Sequence, residues 1–236
     1  MNKPLTTLFM LMSIDGKIST GSSELLDVDK DFPKITGIKE GLHQYYELEQ
    51  ETDLYSLNSG KVFAKIGMNN KQENIKKSPV SFLVIDNKPH LTLQGIENLL
   101  LKSQTLFIIT TNKNHPVFEK KNEINLKIIY YDNNIDFINL FEKLKNDFEI
   151  DKLTIQSGGE LNSVFLRKNL IDKISIVVAP ALIGGKNTPS LIDGNSFTSL
   201  KDLAEIKALK LEKVDILNDS YINLKYDVIK ETRIID

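Results

Sequence analysis

Seven apolar runs of strand length, spaced by segments with helical periodicity, restrict this chain to a layered α/β fold. The runs are Thr7–Met12, Asp53–Leu57, Val80–Ile85, Thr105–Thr110, Leu126–Tyr131, Lys152–Gln156 and Lys173–Ala179. They are near-continuous rather than alternating, as in strands covered on both faces. Helical spacing is clearest in Gly41–Glu51, Gln94–Lys102, Ile135–Phe148 and Glu160–Lys168. In the third of these Phe137, Leu140, Phe141 and Leu144 return every three or four positions. This alternation predicts a mainly parallel sheet flanked by helices. The end of the chain differs, because Lys201–Asp215 and Ser220–Lys230 read as two β segments joined at the turn-forming Leu217-Asn218-Asp219. An antiparallel pair is therefore expected at the sheet edge, making the sheet mixed. No long Gly/Ser/Pro linker or internal repeat interrupts the pattern, so residues 1–236 are expected to form one domain.

Composition narrows the chemistry. Lys+Arg 30 against Asp+Glu 32 gives a net charge of -2, so no general attraction to nucleic acid or acidic membranes is expected and any anion site must be local. The chain has no cysteine, which excludes disulfides, thiolate catalysis and cysteine-bound metal clusters. His43, His90 and His115 are scattered without ligand spacing, so each reads as surface or structural and no metal is expected. No segment reaches the ~20 apolar residues of a membrane helix, and the apolar start has no cleavage site behind it, so a soluble, cytoplasmic protein is expected.

Several strand-end turns carry residues suited to a nucleotide. Gln156-Ser157-Gly158-Gly159-Glu160-Leu161-Asn162 ends a strand and opens a helix. Glycines there let backbone approach a ligand, while the free N–H groups and dipole of the helix's first turn attract an anion. The same glycines would also serve tight helix–sheet packing, and the sequence leaves both readings open. Ser13-Ile14-Asp15-Gly16-Lys17-Ile18 follows the first strand and is either a plain turn with Gly16 at positive φ or part of a ligand cleft. Thr111-Asn112-Lys113 offers a hydroxyl, an amide and a cation at another strand end; Lys113 would suit the 2′-phosphate that distinguishes NADPH from NADH. Asn58-Ser59-Gly60-Lys61 has a similar form without being a Walker loop. A GxGxxG motif is missing, which argues against an ordinary Rossmann dehydrogenase.

Taken together these residues resemble a known family. Ser13–Ile18, Gly158–Asn162 with Asn169-Leu170-Ile171-Asp172 behind it, and Ala179-Pro180-Ala181-Leu182-Ile183-Gly184-Gly185 resemble, in order and spacing, the RibD C-terminal reductase family of riboflavin biosynthesis, within the dihydrofolate-reductase-like superfamily. The resemblance implies a dihydrofolate-reductase-like three-layer fold, NADPH as hydride donor and a homodimer. It places cofactor phosphates on Gly158, Gly159, Glu160, Leu161 and Asn162 and the adenosine side near Thr111, Asn112 and Lys113; Ser59, read from its own strand-end segment, is expected to line the cofactor's phosphates or a substrate. It puts Ser13 and Asp15 at the substrate and nicotinamide as catalytic candidates, Asp15 for substrate orientation or proton delivery, with Gln156 and Asn58 toward the substrate.

The chain also departs from the family's pattern. Gln156 stands where an acid is usual, tryptophan is absent, and the only arginines are Arg167 and Arg233. The expected activity is hydride transfer from NADPH to a C=N or C=O group of a small pteridine- or pyrimidine-like molecule. The alternatives are a nucleotide-binding module without catalysis, or a dihydrofolate reductase in the strict sense, which competition by methotrexate would reveal.

Overall fold

The structure is a computed structural model and describes residues 2–234. In chain order its elements are β1 (Leu5–Ser13), α1 (Val28–Asp31), α2 (His43–Glu49), β2 (Tyr55–Ser59), α3 (Gly60–Lys65), β3 (Ser81–Ile85), α4 (Leu93–Lys102), β4 (Leu106–Thr110), β5 (Leu126–Tyr130), α5 (Phe137–Asn146), β6 (Lys152–Ile155), α6 (Gly159–Arg167), β7 (Lys173–Ala179), β8 (Leu209–Ile216) and β9 (Ile222–Val228), with short 3-10 turns between some of them. They group into two compact units. One is Asp53–Ser157 with the residues ahead of Leu5; the other is Leu5–Thr52 and the chain from Gly158 onward.

The unit holding Asp53–Ser157 is a parallel sheet in the order β5-β4-β3-β2-β6. Its helices begin where side chains satisfy the first free N–H groups. Thr92 accepts from Gly95 N at the start of α4, and Asp136 accepts from Ile138 N and Asn139 N at the start of α5. On α5 the predicted residues Leu140, Phe141 and Leu144 are fully buried, and on α4 Ile96 and Leu99 join Val84, Leu106 and Ile108 in one apolar cluster. Burying side chains of this size contributes about 1.5–3 kcal/mol each. Register sets the site: Ser59 lies level with Ile85, which is level with Ile109, so the loops after β2, β3 and β4 leave one edge together.

In the other unit β1 pairs in parallel with β7, and β7 and β8 flank β9 in antiparallel fashion. Its core gathers Phe9, Leu11, Phe32, Leu42, Tyr45, Val177 and Tyr221, with the Phe9 and Tyr45 rings stacked at 5.2 Å. Ser13 is level with Ala179, so the turns after β1 and β7 emerge side by side.

The expected antiparallel pair is present and turns through Asp219 and Ser220, both at positive φ. Its first segment starts later than expected: Leu200–Glu205 is a 3-10 turn, not strand. Ser199 and Asp202 form a reciprocal capping box there, and this local side-chain competition closes a turn before β8 can begin.

Candidate active site

In the unit containing β1, the Ser13–Lys17 turn is tied down by its own hydroxyl. Ser13 Oγ accepts from Lys17 N at 2.9 Å and donates to Asp15 Oδ1 at 2.5 Å. Gly16 takes φ +77°, as the turn requires. The Asp15 carboxylate then receives Ile183 N at 3.1 Å and Gly184 N at 2.6 Å, joining the turn after β1 to the turn after β7. The Ser13 hydroxyl first and the Gly184 N–H next, helped by Ile183 N–H, pull the Asp15 pKa down to about 2 against the opposing effect of desolvation. Asp15 is therefore ionised at neutral pH, with its oxygens already engaged.

Lys17, which the sequence reading left without a role, donates to Thr188 O and Ser190 Oγ, both at 3.0 Å. The same stretch reaches the glycine turn. Asp193 N donates to Gly159 O at 3.1 Å, and buried Asn162 donates its amide to Leu191 O at 2.9 Å. Residues 181–193 thus connect the signature turn with the glycine turn, and Lys17, Ser190 and Asp193 are the residues that sequence reasoning missed there. Only Lys17 carried a signal, its place within the signature motif.

The two glycines are not equivalent. At Gly159 a Cβ would fall closer than 3.0 Å to the Ser190 carbonyl and the Asp193 carboxylate, so this glycine is demanded by packing. At Gly158 a Cβ would meet nothing within 4 Å, and φ −73°, ψ 160° is open to any residue. Gly158 is the N-cap of α6, and no side chain caps that helix. Glu160 is exposed and Leu161 half-buried in the first turn. An uncapped helix start beside open space fits an anionic group such as a cofactor pyrophosphate.

In the unit containing β2, Gln156 and Asn58 meet through Ser56. The Ser56 hydroxyl donates to Gln156 Oε1 at 2.8 Å and accepts from Asn58 Nδ2 at 2.9 Å. Ser59 caps α3, its hydroxyl accepting from Val62 N at 3.3 Å. Thr111, Asn112 and Lys113 form the loop after β4. Thr111 N donates to Asn87 Oδ1 at 3.0 Å, the Asn112 side chain accepts from Asn114 N at 2.9 Å, and Lys113 is exposed. His115, expected as surface or structural, is structural: it is 2% exposed and its Nε2 lies 3.0 Å from Asp86 Oδ2.

Parallel strands ending in a Ser-x-Asp-Gly-Lys turn, a glycine turn opening a helix, and a C-terminal antiparallel pair together define the dihydrofolate-reductase-like class of α/β fold. The RibD protein of Acinetobacter baumannii has this fold, with a TM-score of 0.69 at 17% identity over 97% of this chain and 59% of that one. The riboflavin biosynthesis reductase of Saccharomyces cerevisiae has it too, with a TM-score of 0.62 at 16% identity over 97% and 91%. The RibD C-terminal domain model matches residues 4–220, and the chain belongs to that family.

Among curated relatives, a 2,5-diamino-6-ribosylamino-4(3H)-pyrimidinone 5′-phosphate reductase of Archaeoglobus fulgidus is 23% identical over 93% of this chain and 96% of its own length. A reductase of the same name from Aquifex aeolicus is 30% identical over 47% of this chain and 50% of its own, and the RibD protein of Actinobacillus pleuropneumoniae is 24% identical over 92% and 56%. The chain thus spans about half the length of these last two relatives. Among the described residues no helix is long and apolar enough to cross a membrane.

Proposed function

We propose that residues 1–236 act as one NADPH-dependent reductase domain, transferring a hydride to a C=N or C=O bond of a small pyrimidine- or pteridine-like substrate in the cytoplasm. The observation that carries the cofactor assignment is the uncapped start of α6, with open space at Gly158. In this reading Gly158, Glu160 and Leu161 present backbone N–H groups to the cofactor phosphates, Gly159 and Asn162 fix the turn that presents them, and Thr111, Asn112 and Lys113 take the adenosine side. Ser59 enters through the α3 turn it caps. A nicotinamide bound here supplies the hydride. The protein's part is to orient the two rings, exclude water and hold the polar groups still.

Asp15 orients rather than delivers a proton, because a carboxyl with a pKa of about 2 carries none at neutral pH. Its work is to lock the turns after β1 and β7, while Gln156 and Asn58 present amides to the substrate's ring. Asp15→Asn is expected to lower kcat at every pH between 5 and 9, leaving the shape of the pH–rate profile unchanged. Disappearance of a limb of that profile in the variant would restore Asp15 as the acid.

Titrating the protein with NADPH and NADH by fluorescence, then following NADPH oxidation with the pyrimidinone phosphate named for the relatives, tests the reading. No binding of either nucleotide rejects it. Binding without turnover favours a nucleotide-binding module. Arg167 is engaged with Asn195 O and lies over the Phe197 ring.

A homodimer is part of the proposal. Opposed pairs Leu211/Tyr226, Val214/Leu224 and Ile216/Ile222 place apolar side chains on one face of the β8–β9 hairpin, where Leu211 is 53% and Ile216 87% exposed. A patch of this kind on an edge strand is suited to a second copy. Leu211→Glu with Val214→Glu is expected to halve the mass seen by sedimentation; an unchanged dimer mass places the interface elsewhere.

A further inference from the structure

Asp86 ends the apolar run of β3 and is 1% exposed, yet nothing in the proposed chemistry uses it. Its carboxylate is saturated. Oδ1 accepts from His90 N at 3.0 Å and from the His90 ring at 3.2 Å, and Oδ2 accepts from Leu91 N at 3.0 Å and His115 Nε2 at 3.0 Å. The tautomer of His115 follows from its other nitrogen: Nδ1 accepts from Val117 N at 3.1 Å, so the proton sits on Nε2 and is donated to Asp86. With both ring nitrogens engaged His115 is not a base. Among the described residues no group of three or more His, Cys, Asp or Glu is placed to hold a metal ion.

The same carboxylate lies against the first turn of α3, where a Cβ on Gly60 would come closer than 3.0 Å to it. This accounts for the glycine in Ser59-Gly60-Lys61 as a close approach to Asp86. The loop after β4 hangs from the same place. Thr110 Oγ1 donates to Asp86 O at 2.9 Å and accepts from Asn112 N at 3.1 Å, Thr111 N donates to Asn87 Oδ1, and His115 closes the loop on the carboxylate. Asp86 and Asn87 therefore hold both ends of the segment carrying Thr111, Asn112 and Lys113, within one compact unit.

We infer that Asp86 is a positioning residue: with His115 and Asn87 it suspends the Thr111–Asn114 loop from the end of β3 and so places the groups that receive the adenosine-side phosphate of the cofactor. This rests on the proposed cofactor reading for the ligand, though not for the loop's attachment. Three donors, the His90 and Leu91 N–H groups and the His90 ring, fix the carboxylate itself, and its remaining bond, from His115, transmits that position to the loop. Because NADH lacks the 2′-phosphate, a misplaced loop should penalise NADPH selectively.

Two variants test this on the full chain. Asp86→Asn turns an amide donor toward groups that are themselves donors, and Asn87→Ala removes only the exposed bond to Thr111 N. Folding of each is checked by circular dichroism. Asp86→Asn is expected to weaken NADPH binding about tenfold and Asn87→Ala, which removes a single neutral hydrogen bond, about threefold, while NADH affinity stays within about twofold. Without nucleotide, the backbone amide NMR signals of Thr111–Asn114 are expected to shift in both variants.

An unmoved loop spectrum in folded Asn87→Ala overturns the positioning role, as does an unchanged NADPH-to-NADH ratio in both variants. A wild type that binds neither nucleotide defeats the cofactor reading and the ligand inferred here, whereas the loop spectra still decide whether Asp86 positions the loop. Should Asp86→Asn not fold, the same measurements on Asp86→Glu, which keeps the charge and displaces the carboxylate, take its place.

Discussion

Gly158→Val is expected to fold and to lose NADPH binding by at least about tenfold, whereas Gly159→Val is expected to be destabilised by about 1–3 kcal/mol or more through overpacking. The two residues are adjacent and identical, so the contrast comes from their surroundings. At 158 the backbone is extended and the site of a Cβ is empty, and a valine costs at most about 1 kcal/mol as a poorer helix N-cap. Its methyl groups would then occupy the space through which a phosphate reaches the N–H groups of α6. At 159 the obstacle is the Ser190 backbone carbonyl, which cannot rotate away, with the Asp193 carboxylate beside it. Relief would require displacing residues 190–193, which also hold Lys17 and Asn162. Thermal melts with NADPH titrations separate the outcomes: wild-type affinity in a folded Gly158→Val protein would leave α6 without its proposed ligand.

That contrast marks where sequence stops being informative. The strands were legible because most are short apolar runs buried on both faces; Lys173–Ala179 is predicted and found with the same ends. The order of turns was legible too, since each follows a recognisable run. The division of labour within Gly158-Gly159 was not, because it depends on Ser190 and Asp193, about thirty positions later, in a stretch with no regular periodicity. Asp15 presents a similar case. Its residue type suggests acid chemistry, and only the N–H groups of Ile183 and Gly184 show that its oxygens are already committed. Gln156 and Asn58 were both named for the substrate side, but the link between them through Ser56 was not legible, because Ser56 looked like an ordinary strand residue. The strand expected from Lys201 was lost to a capping box, a short-range competition that apolar pattern does not report.

Asp86→Ala is expected to be among the most damaging single substitutions in the chain, lowering stability by about 3–5 kcal/mol as removal of one partner from a buried charged network does, and the Tm by on the order of 10 °C. The loss exceeds that of one hydrogen bond because it strands the N–H groups of His90 and Leu91 and the Nε2–H of His115 in a space closed to water. The sign of its pH dependence follows from the carboxyl itself. Burial pushes the Asp86 pKa up, but the bonds from His115, His90 and Leu91 outweigh it and leave the folded value below that of the unfolded chain. The folded state therefore gains stability from Asp86 above an unfolded pKa of about 4 and loses it as pH falls through the lower folded value. Urea midpoints of wild type and Asp86→Asn should lie far apart at pH 7 and converge as the pH is lowered below about 4. A gap that stays constant down to acid denaturation would mean that the Asp86 carboxylate has no preference for its charged form in the fold. The four donors around it would then act through packing alone.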